Sequence, residues 1–120
     1  MEKERVYRMA IISKADCYDG VGNRMGKTIL YLALVYIAGA ERGTEFEKRY
    51  EFEGNPPEFL RRDMLRLGFR VETAEQLKKT AGQLPGIIVR VSLLQSGDTL
   101  RIYIDDYFGR DDPKKYTAKR

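Results

Sequence analysis

The residues best placed to do chemistry lie between 19 and 28, where Gly20, Gly22 and Gly26 precede Lys27-Thr28. A phosphate-cradling loop needs G-x-x-x-x-G-K-[ST] between a strand and a helix, because successive backbone N–H groups curl around the phosphate. Here the spacing to Gly26 is one residue too short from Gly22 and one too long from Gly20, and Val21 holds the position that needs glycine. The segment after Thr28 reads as a strand, which removes the helix N-terminus that would face the anion. A nucleotide-hydrolysing loop is therefore not expected. Asp105-Asp106 follows an apolar stretch like a magnesium-binding carboxylate pair, but neighbours in a strand point to opposite faces and make no natural acid/base pair. The chain has no histidine and one cysteine, Cys17. That excludes the common zinc sites and histidine-based triads, and it leaves Cys17 without a base to activate it. No catalytic residue, metal or cofactor is expected, and the chain reads as a binder rather than an enzyme.

A second pattern is less local. Lys14, Arg24 and Lys27 flank the glycine-rich loop, and Tyr31, Arg49, Arg90, Arg101 and Tyr103 fall on expected strands. Aromatic rings interleaved with cations can stack bases and hold phosphates, which is how single strands are bound without sequence preference. These eight are the candidate nucleic-acid-binding residues. Glu45, Glu47, Glu51 and Glu53 outnumber Lys48 and Arg49 on the third strand and weaken a groove centred there. Arg61, Arg62 and Arg66 form a basic strip on the first expected helix. Interleaved Glu58 and Asp63 favour a solvated face there.

The elements that must position these residues follow from pattern. Val6 to Ser13 reads as strand one, with room to run on to Tyr18. Lys27 to Ile37 is continuously apolar, and its β-branched and aromatic content favours a second strand. Phe46 to Phe52 alternates as a third, paired with the second as a hairpin. Asn55-Pro56-Pro57 opens a helix that Asn55 can cap, with Phe59, Leu60, Met64 and Leu67 as its apolar stripe and Gly68 as its stop. Thr73 to Gln76 fits a capping box for a second helix that buries Leu77, Ala81 and Leu84. Ile87 to Leu94 and Leu100 to Asp105 are the last two strands, joined by a tight turn at Gln95-Ser96-Gly97-Asp98. Three strands, a helical segment and two strands is the order of a five-stranded OB-type barrel with its helical insert between strands 3 and 4. The expected organisation is a mainly β, OB-like barrel domain over residues 1–108 and a polar basic tail over 109–120 that frays.

With 120 residues, 42% hydrophobic and 33% charged, the chain is one globular domain. The net charge of +4 permits a polyanionic partner without demanding one. A single thiol fits a reducing compartment. The charged start and the absence of an apolar run of about 20 residues predict neither signal peptide nor membrane span, hence a cytoplasmic protein.

V-Y-R-M-A-I-I stands at Val6–Ile12, G-N-R-M at Gly22–Met25 and A-G-A-E-R-G-T-E-F at Ala38–Phe46. R-R-D-M-L-R-L-G-F at Arg61–Phe69, L-P-G-I-I-V-R-V at Leu84–Val91 and a closing strand before D-D follow. In the order and spacing of these segments the chain resembles a group of small phage-encoded proteins long catalogued as a domain of unknown function, similar to OB-fold single-stranded-DNA-binding proteins. The likeness spans roughly residues 5 to 112. It implies single-stranded DNA binding in a phage replication or recombination setting. One departure matters: many single-strand binders end in an acidic tail that recruits replication enzymes. From Gly109 onward this chain has five cationic residues against two aspartates. Homo-oligomerisation remains open, as does a different role as a protein-interaction module, such as an inhibitor of a host enzyme.

Overall fold

A computed structural model describes residues 5–117. The charged start at 1–4 and the last three residues of the basic tail lie outside the described residues. Five antiparallel strands form one sheet: β1 (Arg5–Asp19), β2 (Thr28–Tyr36), β3 (Glu45–Phe52), β4 (Ile87–Ser96) and β5 (Thr99–Arg110). The helices α1 (Glu58–Arg66) and α2 (Ala74–Ala81) sit between β3 and β4. The strand order is β3-β2-β1-β4-β5.

The length of β1 organises the sheet. Its first half, Arg5 to Ile11, pairs with β4, and Ala10 to Asp19 pairs with β2. A register shift between Ile12 and Lys14 marks a bulge at Ser13, where an extra residue bends a strand and increases its twist. The Ser13 hydroxyl donates to the Ala33 carbonyl at 3.2 Å and fixes the bend. Inner faces supply Ala10, Ile12, Leu30, Leu32, Leu34, Val89, Val91 and Ile104 to the core. On the other face of β1 and β2, Ile11, Ile29 and Val35 are also buried. Burial on both faces explains why β2 carries no alternation.

The helices close one side of this core with Leu60, Met64, Leu67, Leu77 and Leu84. Thr73 and Gln76 form the expected capping box on α2. The start of α1 differs from expectation: Pro57 stands at the N-cap with no side-chain cap, and Asn55 lies outside the helix. Proline suits this entry because it donates no N–H and favours the extended backbone seen there. Phe59 also departs from the expected stripe. It is 52% exposed and stacks on Tyr50 with centroids 6.2 Å apart. The core already holds Leu60, Met64 and Leu67 along α1, and Phe59 points about 100° away from Leu60 on the helix.

The expected closure into a barrel is not made. Each edge strand, β3 and β5, pairs with one neighbour. The sheet curls until these edges face one another, but side chains take up the outward carbonyls of β5. Lys48 Nζ donates to the Ile102 carbonyl at 2.6 Å, and the Arg66 guanidinium donates to the Ile104 carbonyl at 3.3 Å. A lysine or arginine that caps an edge carbonyl satisfies it and blocks strand pairing there. The tail also departs from expectation. β5 continues to Arg110, and a 3-10 turn at Pro113–Lys115 follows. Tyr116 donates to Asp111 at 2.9 Å, and Arg42 stacks over its ring at 5.3 Å.

Tyr50 is the most perturbed phenol in the core. Its hydroxyl donates to Asp63 at 2.7 Å. Burial first, and the Asp63 carboxylate second, hold its pKa well above the ordinary 10.0. Above about pH 10 the unfolded chain loses a proton that folded Tyr50 keeps, so stability present below pH 10 is lost as pH rises. Lys48, which burial holds below its ordinary 10.5, acts in the opposite sense up to that value. The comparison is therefore between variants. Denaturant unfolding at about pH 9 and pH 11 should show a shallower alkaline loss in Tyr50→Phe than in the parent chain, and equal losses would contradict this assignment.

Candidate nucleic-acid interface

The eight candidate residues fall into three places. Tyr31 and Arg49 are register partners on the outer face of β2 and β3, with the guanidinium 5.8 Å from the ring centroid. The Tyr31 hydroxyl donates to Glu47 at 2.9 Å, and that bond to a carboxylate raises the Tyr31 pKa. On one side of this pair, Lys14 and Tyr31 line a hollow with Ser13, Asp16 and Pro85. On the other side, the cleft between the facing edges of β3 and β5 has a volume of about 480 Å³. Glu47, Lys48, Arg49, Arg101 and Tyr103 line it. Lys14, Tyr31, Arg49, Arg101 and Tyr103 thus lie along one path that crosses β1, β2, β3 and β5.

Tyr103 stands at the far end of that path, 37% exposed. Arg5 lies 5.6 Å and Lys48 6.0 Å from its ring centroid. Arg5 and Lys48 were not among the sequence candidates. The signal for Lys48 was present, since it shares the inward face of β3 with Phe46 and Tyr50, an unusual place for a charge. Burial lowers its pKa.

Arg24 and Lys27 lie apart, at the β1–β2 loop. Arg24 forms an ion pair with Glu51, and Lys27 lies 3.7 Å from Glu53. Two of the four glutamates that weakened a groove on the third strand, Glu51 and Glu53, are thus paired with this loop. The loop is held by Gly20, whose N–H donates to the Lys27 carbonyl at 2.8 Å. A Cβ at Gly20 would meet the Arg24 carbonyl oxygen at 2.3 Å, so only glycine fits this closure.

Arg90 is the third place. It lies 3.0 Å from Asp106 and 3.8 Å from Asp105, with Tyr7 stacked at 5.1 Å. The expectation that Asp105 and Asp106 point to opposite faces fails here. The register pairs Arg90 with Asp106 and Val91 with Ile104, which leaves Asp105 as an extra residue in a bulge. A bulge breaks alternation, so both carboxylates reach the same guanidinium. The two salt-bridge atoms between Arg90 and Asp105 are buried and have no hydrogen-bond partner. This arginine is committed to a structural cluster.

Lys14, Arg49 and Arg101 have no carboxylate within ion-pairing distance among the described residues. They are the cations of the set that can meet phosphate without first breaking a pair. Burial pushes the Cys17 thiol up to about 11, so it is protonated at neutral pH and is not a nucleophile. Among the described residues, no three His, Cys, Asp or Glu side chains are grouped to hold a metal ion. No helix among them is long and apolar enough to cross a membrane. No family model, curated protein or solved structure matches this chain.

Proposed function

We propose that the chain is a single-stranded-DNA-binding protein of a phage or prophage replication or recombination module, cytoplasmic, acting by binding and not by catalysis. The observation that carries this reading is the path over β1, β2, β3 and β5, in which Tyr31 lies beside Arg49, Tyr103 lies beside Arg5 and Lys48, and Arg49 and Tyr103 line one cleft. Bases stack on such rings without regard to sequence, and the cations between them meet the phosphates. The hollows along the path are lined by Lys14, Lys48, Arg49 and Arg101 against Asp16 and Glu47, four positive charges to two negative. Strand order also supports the reading. β3 and β5 both run parallel to β1, strand directions compatible with an OB-type fold, although the sheet stays open.

A second reading, a protein-interaction module, is favoured by the outer side of α1. Leu65 is exposed in a hollow of about 240 Å³ with Arg61, Arg62 and Arg70 around it. Fluorescence anisotropy separates the two. A labelled single strand of about 20 nucleotides, longer than one site of about 4–16, should bind more tightly than a duplex of the same sequence. Equal or tighter duplex binding would contradict the first reading.

A further inference from the structure

The path does not end at Tyr103. Beyond it, between α1 and the edges of β3 and β5, lies a second hollow of about 380 Å³. It shares Lys48 and Tyr103 with the cleft and adds Phe59, Arg62 and Arg66. Its volume falls within the range of about 300–1,000 Å³ usual for small-ligand sites.

Its chemistry is specific. Phe59, held over Tyr50, and Tyr103, on β5, offer two partly exposed rings in one hollow. The one carboxylate, Asp63, already accepts from Tyr50 and from Arg66. Arg66 is divided between Asp63 and the Ile104 carbonyl. Arg62 has no carboxylate within ion-pairing distance among the described residues. Lys48 uses one of its three donors on Ile102. Lys48, Arg62 and Arg66 against Asp63 leave the lining net positive, so the hollow favours an anion joined to a flat ring.

We infer that this hollow is a nucleotide subsite, in which one terminal nucleotide of a bound strand lays its base against Phe59 and Tyr103 and its phosphate against Arg62 and Lys48. The inference rests on the strand-binding reading and deepens it, because the hollow continues the same path over the β5 edge. It gives the bound strand a fixed end rather than an open track. Burial lowers the Lys48 pKa, and a phosphate beside it would raise that pKa again by favouring the charged form.

The test uses deoxythymidine 5′-monophosphate, thymidine and inorganic phosphate as separate probes, followed by amide chemical shifts on the full chain. The monophosphate should saturate and shift residues around Phe59, Arg62 and Tyr103, more tightly than thymidine or phosphate alone. Phe59→Ala should weaken it by roughly tenfold, and Arg62→Gln by a similar order. Both side chains are exposed, so the fold should survive. Lys79→Ala, at an exposed cation on α2 away from the path, should leave monophosphate binding unchanged. If the 20-mer binds and the monophosphate does not, or shifts residues elsewhere, the subsite is overturned and the strand-binding reading stands. If the monophosphate binds here and no oligonucleotide does, the subsite stands and the strand-binding reading falls. If neither binds, both fall.

Discussion

Leu60→Ala lowers the unfolding free energy by about 2–5 kcal/mol, the usual cost of removing a fully buried leucine and leaving a cavity. Leu60 has no exposed surface and packs in the core shared by the sheet and helices. Leu65, on the same helix, is 57% exposed, and Leu65→Ala should change stability by less than about 0.5 kcal/mol. Urea unfolding of the two variants makes the comparison within one element. Similar costs would mean that α1 does not seat on the sheet, and the hollow beside Tyr103 would lose its wall.

Tyr103→Ala should weaken single-strand binding by about 1–3 kcal/mol, the range for losing one base–aromatic stack, which is roughly 5- to 150-fold. The ring is partly exposed on an edge strand, so stability should change far less than for Leu60. Tyr31→Ala should act in the same direction. Its ring lies under Arg49 and its hydroxyl is held by Glu47, so Tyr31→Phe, which keeps the ring, should retain most of the affinity. Anisotropy titrations with the 20-mer, run beside unfolding curves, separate a binding defect from a folding defect. Unchanged affinity in both alanine variants would remove the aromatic basis of the proposed function.

The mainly β architecture was legible because its signals are local. Phe46 to Phe52 alternates with period two, and Thr73 to Gln76 caps α2 as the residue types require. The failures are non-local. The barrel edge stays open because Lys48 and Arg66 reach carbonyls 54 and 38 residues away, which no window along the chain reveals. Asp105 and Asp106 converge because a bulge inserts a residue opposite β4. The candidate site was half legible. Tyrosines among cations singled out Tyr31, Arg49, Arg101 and Tyr103, which the fold brings near one another across β2, β3 and β5. Nothing local distinguished Arg49 from Arg24 or Arg90, whose partners Glu51 and Asp106 lie on other strands. Ion pairing across strands decides which cations remain available, and that depends on register.

The account's central claim is that phosphate is met by the cations without carboxylate partners along the path. The direct measurement is affinity for the 20-nucleotide single strand across several salt concentrations. If Lys14, Arg49 and Arg101 each meet a phosphate, they give log affinity against log salt a slope of about −2, since each single-strand contact contributes about −0.7, and a terminal phosphate at Arg62 and Lys48 steepens it by about 0.7 more. Arg49→Ala should flatten that slope by about 0.7, whereas Arg90→Ala, tied to Asp105 and Asp106, should leave it in place. No binding by folded protein at low salt, or a slope that changes with Arg90 and not with Arg49, would contradict the account.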